Sequence, residues 1–294
     1  MEAPSYPLVV DGTVYVTAGD SGGSYGTTLY ALDQATGAVI WQHGLGGTYY
    51  WSGLAYDAGR VFAVNYDGLL SAFDAVTGDV DWSYQLPGQY AFSSPPTAVD
   101  GIVYDGGAGF GGTLYANRES SGAQVWTNEV ATGDNSSPAV DGSDVFVTYP
   151  DNYYAFDRTT GASTGSTPSA GMAEGGRTPV VADGHVFVRD GAASARIVSE
   201  ADGAPQGPLA STTAPAVANG TVYQLNGATL QAVPEDGLGS TRWSFAGDDG
   251  LDTAPLVTGS TIWGRVKLRG ALRRRRHDGR GAVEHQPRQP HFGA

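Results

Sequence analysis

The residues of this chain best suited to bind something are aromatic side chains set among glycines and small polar residues. Tyr25 lies in Asp20-Ser21-Gly22-Gly23-Ser24-Tyr25-Gly26, and Phe110 lies in Asp105-Gly106-Gly107-Ala108-Gly109-Phe110-Gly111-Gly112. Tyr49, Tyr50 and Trp51 follow one another, and Tyr90 and Phe92 fall in Gln89-Tyr90-Ala91-Phe92. Exposed rings on mobile glycine loops suit flat, amphipathic ligands such as sugars or extended peptides. The competing reading is that Tyr50, Trp51 and Phe92 only fill the mouth of the fold. Other chemistries find less support. Neither glycine-rich stretch opens a helix, so neither reads as a phosphate loop. The aspartates lack the ligand spacing of a calcium loop. With no cysteine, disulfides and thiol-based metal or redox sites are excluded. His43 and His185 sit in strand-like runs without a nucleophile motif and read as ordinary strand residues. A carboxylate pair for glycoside chemistry is open in principle, but nothing selects one. No catalytic, cofactor or metal-binding residue is assigned, and binding is the expected activity.

A repeat positions these residues. Leu29-Tyr30-Ala31-Leu32-Asp33-Gln34-Ala35-Thr36-Gly37-Ala38-Val39-Ile40-Trp41 returns as Leu70 to Trp82, as Leu114 to Trp126 and, in part, as Tyr154 to Gly161. A period of roughly 40 residues marks a repeat architecture. Asp11-Gly12, Asp57-Ala58-Gly59, Asp100-Gly101, Asp141-Gly142, Asp183-Gly184, Asn219-Gly220 and Thr258-Gly259 each separate two short apolar runs, which read as hairpins. Each unit therefore holds four strands, with the Asp-x-x-Thr-Gly stretch turning between the third and fourth. No segment reads as a long amphipathic helix, and 44 glycines with many Tyr, Val and Thr suit an all-β chain. The expected fold is a β-propeller of four-stranded antiparallel blades, six recognisable and a seventh incomplete, over residues 1–264. The hairpin and Asp-x-x-Thr-Gly turns then share one face, and the aromatic segments share the other.

The Leu-Tyr-Ala-Leu-Asp-x-x-Thr-Gly-x-x-x-Trp sentence resembles the pyrroloquinoline-quinone-like repeat family over residues 7–263. The match is strong in the first two units and weaker after: Arg118 replaces the aspartate, the fourth and fifth units lack the tryptophan, and Trp243 comes two residues late. The resemblance implies that Trp41, Trp82, Trp126 and Trp243 are structural, docking between blades. Its quinone enzymes need a calcium ion held by carboxylate and amide oxygens, a catalytic aspartate and, in many members, a vicinal cysteine pair. The pair is impossible here and the ligands find no matching positions, so no cofactor is expected. The resemblance to scaffold members implies a non-catalytic binding module for a protein or glycan; the alternative is a quinone-dependent dehydrogenase-like or polysaccharide-active propeller.

From Arg265 the chain changes character. Residues 265–294 carry nine basic and two acidic side chains, the only lysine among them, against totals of 16 and 30. The rest is strongly acidic, which argues against nucleic-acid binding. The basic run itself reads as a frameshift. CGN arginine codons read from their second base before another C give GNC, which encodes Ala, Val, Asp or Gly. Leu272 to Gly281 can then spell Tyr-Ala-Val-Asp-Ala-Thr-Thr-Gly-Ala-Val, and Val283 to His285 continue as Trp-Ser-Thr. The tail is expected to be a disordered remnant of a blade.

No 18-residue apolar run exists, so no transmembrane helix is expected. No signal peptide is visible before Ala3-Pro4. A monomer in the cell envelope or outside the cell is the expectation, with a cytoplasmic setting the alternative.

Overall fold

The computed structural model describes residues 5–19, 27–46, 53–131, 136–149, 152–168, 178–189, 195–235, 240–246, 251, 253–259 and 261–264. Every regular element among them is a strand. Six four-stranded antiparallel sheets span residues 8–44, 55–85, 97–130, 139–168, 180–208 and 216–246, each with its strands in chain order. Leu256–Thr258 and Thr261–Trp263 pair as the start of a seventh. From the second sheet to the seventh, first strands of successive sheets are neighbours. Fourth strands such as Val39–Gly44 and Val80–Gln85 are largely exposed. First strands therefore wall the centre and fourth strands lie outermost. The fold is the β-propeller that the repeat predicts, with six complete blades. The basic tail and its frameshift reading lie outside the described residues.

Two turns shape each blade. At Asp11-Gly12, Ala58-Gly59, Asp100-Gly101, Asp183-Gly184 and Asn219-Gly220 both residues have positive φ, 46° to 52° at the first and 66° to 85° at the glycine. Two positive φ values define the hairpin turn whose twist matches that of the strands. Blade four differs: Asp141 pairs with Asp144, so Gly142 and Ser143 make the turn and only Gly142 has positive φ. In the Asp-x-x-Thr-Gly turn, Asp33 Oδ1 accepts from Thr36 N at 2.7 Å and Thr36 Oγ1 at 2.6 Å. Asp157 accepts likewise from Thr160, while Asp74 accepts from the Thr77 and Val76 amides. These bonds favour the ionised form and hold all three carboxyls below the usual range. Where Arg118 replaces the aspartate, Asn117 Nδ2 donates to Gly122 O at 2.8 Å and braces the same turn.

The seams between blades use the same turn. Trp41 Nε1 donates to Ala75 O at 3.1 Å, Trp82 Nε1 to Glu119 O at 2.7 Å and Trp126 Nε1 to Arg158 O at 3.0 Å. Each acceptor is the residue after the aspartate position in the next blade. The same ring covers that blade's Thr-Gly glycine: a Cβ on Gly78 would sit 2.6 Å from Trp41, on Gly122 2.5 Å from Trp82, and on Gly161 2.7 Å from Trp126. The glycine thus serves a close approach as well as a positive φ. Strand two adds an aromatic at one register position in all six blades: Tyr15, Phe62, Tyr104, Phe146, Phe187 and Tyr223. Tyr15 and Tyr104 donate their hydroxyls to the carbonyls of Ala75 and Arg158, which Trp41 and Trp126 also use.

The weaker units repack. Opposite Ala155 and Ile197, where the tryptophan pairs in other blades, stand Gly165 and Gly207. Tyr153, at the register position of Leu114, stacks on Phe146, the strand-two aromatic that a tryptophan meets in other blades, with centroids 6.1 Å apart. Blade two, with Phe62, shows that the tyrosine hydroxyl is dispensable. Tyr104→Phe is therefore expected to cost only about 1 kcal/mol, the net worth of one buried hydrogen bond, measurable by denaturant unfolding.

Candidate functional site

Of the seven aromatic residues expected on the ligand face, Tyr25, Tyr49, Tyr50 and Trp51 lie outside the described residues. The other three come together where blades two and three meet, on the face opposite the hairpin turns. Phe110 is 81% exposed and Tyr90 53%, whereas Phe92 is fully buried. Phe92 is therefore a core residue and not a surface ligand. Its ring packs against Tyr115, with centroids 5.8 Å apart, and lies over Gly68 and Gly107.

The glycine-rich stretch around Phe110 is not a mobile loop. Ile102–Gly109 and Gly111–Arg118 are paired along their whole length, so Gly109 opposes Gly111 and Phe110 alone forms the tip. The glycines inside these strands serve packing. A Cβ on Gly106 would lie 2.5 Å from the Tyr149 hydroxyl, one on Gly107 would lie 2.6 Å from Phe92, and one on Gly112 would run into Ala131 O. At the tip, Gly109 (φ +136°) lies beneath the Tyr90 ring, where a Cβ would come within 2.6 Å.

Hydrogen bonds fix the pair. Ala91 N donates to Ala108 O and Ala108 N to Ala91 O, at 2.9 and 2.8 Å, tying the segment between blades to the hairpin. Gln89 Oε1 accepts from Phe110 N at 2.9 Å, and its Nε2 donates to Thr113 Oγ1 at 3.0 Å. Tyr90 and Phe110 then meet edge to face, centroids 5.1 Å apart at 79°, a favoured aromatic arrangement. Gln89 is the residue that reading the aromatics alone overlooks, since its role shows only once the hairpin lies beside it.

Asp105 lies deeper in the same strand and is fully buried. It accepts from Gly106 N at 2.8 Å through one oxygen, and the other has no partner among the described residues. Burial pushes its carboxyl well above the usual range, against the lowering effect of the Gly106 amide. His43 packs on Phe73, and His185 bonds to Gln206 beside Phe187; both are ordinary strand residues.

The opposite face is electrostatic. In blades three to six the residue after the aspartate position faces the hairpin carboxylate of the preceding blade. Arg158 Nη1 meets Asp100 Oδ2 at 2.8 Å. Elsewhere the partner is another acid. Glu119, 3% exposed, is pushed up to about 7 by burial and then by Asp57. Burial and then Asp141 raise Glu200, and burial and then Asp183 raise Glu235. Among the described residues no three His, Asp or Glu side chains converge to hold a metal ion.

A family model described as outer membrane protein assembly factor BamB matches residues 2–137 and 110–206. No curated protein matches the chain. Solved structures share the fold at low identity. BamB from Moraxella catarrhalis is 17% identical, covering 86% of this chain and 78% of its own, with a TM-score of 0.65. A europium-containing methanol dehydrogenase is 14% identical over 85% and 72%, TM-score 0.67. The computationally designed Ika8 protein is 15% identical over 90% and 80%, TM-score 0.67. An assembly factor, an enzyme and a design on one fold mean that the fold alone selects no activity.

Proposed function

The chain belongs to the PQQ-like repeat family described as outer membrane protein assembly factor BamB, and on that premise we propose that it is a non-catalytic propeller that binds a partner protein. The observation that carries this reading is the Tyr90–Phe110 pair, exposed and yet held by Gln89 and the Ala91–Ala108 bridge. Rings already ordered in the free protein bind without losing much side-chain freedom, and large aromatics dominate interface energetics. The family description supports a protein ligand over a glycan, and it supports a place in the cell envelope. No helix among the described residues is long and apolar enough to cross a membrane.

The test is binding of the chain to peptide and glycan arrays. The double variant Tyr90→Ala, Phe110→Ala is expected to lose tenfold or more of any peptide binding, with a thermal midpoint close to that of the parent. Binding that survives the double change sinks the site, and binding to glycans alone overturns the protein ligand. The dehydrogenase-like alternative has its own assay: alcohol-dependent dye reduction after incubation with quinone and Ca²⁺ would overturn the non-catalytic reading.

A further inference from the structure

At the seam between blades six and seven, two hydrogen-bond donors find no carbonyl to receive them among the described residues. At the first seam Tyr15 Oη and Trp41 Nε1 converge on Ala75 O, at 2.9 and 3.1 Å. At the third, Tyr104 Oη and Trp126 Nε1 converge on Arg158 O, both at 3.0 Å. Blade six holds the same pair in the same pose: Tyr223 and Trp243 have centroids 6.0 Å apart at 42°, against 5.9 Å at 45° and 5.9 Å at 47°. No described residue accepts from either.

The surroundings match. Trp243, Phe245, Leu256 and Trp263 are 42%, 56%, 60% and 53% exposed, whereas Trp126 is 8% exposed. Among the described residues, Thr261–Trp263 is paired only with Leu256–Thr258, while strand two of every complete blade also carries strand three. An open strand edge beside exposed aromatics is a template for strand addition.

We propose that this edge is the acceptor for one strand–turn–strand segment, the third and fourth strands of a repeat with the turn Asp-Ala-Thr-Thr-Gly. Codons for Ala271 to His285 can spell that segment one base out of frame. In the shifted frame the Ala271–Leu272 junction permits Leu, so the reading is Leu-Tyr-Ala-Val-Asp-Ala-Thr-Thr-Gly-Ala-Val, with Trp one residue further on. The interval from Asp to Trp is then that of Asp33 to Trp41 and of Asp74 to Trp82. Asp-Ala is the pair found at Asp74-Ala75, whose alanine carbonyl is the acceptor of the first seam. The incoming alanine carbonyl takes both donors, and the incoming glycine lies under Trp243 as Gly78 lies under Trp41. One segment thus satisfies the donors, the strand edge and the exposed rings together.

The test titrates the full 294-residue chain with synthetic Leu-Tyr-Ala-Val-Asp-Ala-Thr-Thr-Gly-Ala-Val-Gln-Trp-Ser-Thr by calorimetry. Saturable one-to-one binding is expected, weakened tenfold or more by Trp243→Ala and severalfold by Tyr223→Phe. A peptide with valine for its glycine is expected to bind tenfold or more weaker, and this arm decides the matter if the Trp243 variant fails to fold. Absence of saturable binding, equal binding by Trp243→Ala, or equal binding of the valine peptide overturns the proposal. So does a chain that light scattering finds dimeric and closed to the peptide.

Discussion

Trp126→Ala is expected to destabilise the propeller by about 3–5 kcal/mol, the range for removing a large aromatic from a packed core. Trp126 is 8% exposed and packs on Tyr104 within its blade and on Phe156 in the next, with centroids 5.9 and 6.1 Å away. Its indole N–H also holds the carbonyl of Arg158. In a domain of this size the thermal midpoint should fall by roughly 10 °C. The specific part of the claim is the coupling to Gly161, which calls for a double-mutant cycle. In the parent, Gly161→Ala carries two costs, a left-handed backbone at φ +74° and a Cβ driven to 2.7 Å from the Trp126 ring. With Trp126 already alanine there remain the backbone cost, about 1 kcal/mol, and a milder contact with Asn128 Nδ2 at 3.1 Å. The two changes should therefore be markedly less than additive. Strict additivity in urea unfolding would mean that the glycine is there for its φ alone. Trp243→Ala is the internal control: that ring is 42% exposed and its loss should cost a fraction of what Trp126→Ala costs.

This coupling shows what the sequence could and could not reveal. The tryptophan and the Thr-Gly turn are both visible as repeated letters, and their spacing was enough to predict strands, turns and blade order. That the glycine of one blade exists because of the tryptophan of the blade before is not visible, because the two lie more than 30 residues apart. The same blindness explains the misread hairpin at Phe110. Glycines in a row read as conformational freedom, but Gly106, Gly107 and Gly112 sit in paired strands where Tyr149, Phe92 and Ala131 come too close for a side chain. Tyr153 is a third case. The loss of the tryptophan in blade four is legible, whereas the stacking of Tyr153 on Phe146 shows only once the fold brings the two together.

Aligning the repeats on their turns would have exposed one more feature. The residue after the aspartate position reads Gln34, Ala75, Glu119, Arg158, Glu200 and Glu235. Its chemistry looks unconstrained until the hairpin carboxylate of the preceding blade is placed against it. Only Arg158 makes a conventional ion pair there; the glutamates meet aspartates, and this has a consequence for the whole protein.

Stability is expected to fall as pH rises from about 5 to 8, the reverse of the trend usual for an acid-rich protein held by paired carboxylates. Glu119 is pushed from 4.5 to about 7 by burial and by Asp57. Between those two values the native state keeps a proton that the unfolded chain has released. Native binding of more protons makes stability decline with rising pH across that window, and the benefit is gone above about 7. A change of this size has a ceiling near 3 kcal/mol, and water and Arg60 at the rim reduce it to the order of 1–2 kcal/mol. Glu200 and Glu235 are raised too and act in the same sense. The turn aspartates act in the opposite sense: Asp33, Asp74 and Asp157 are held below 3.8 by their turn hydrogen bonds, so their contribution is lost only under stronger acid. Maximum stability should therefore lie at mildly acidic pH. Thermal midpoints measured from pH 4 to 9 test this, and Glu119→Gln, which cannot ionise, should flatten the alkaline limb while leaving the acid limb in place. A midpoint that holds level or climbs between pH 6 and 8 would show that these seam carboxyls are ionised and solvated in the native protein.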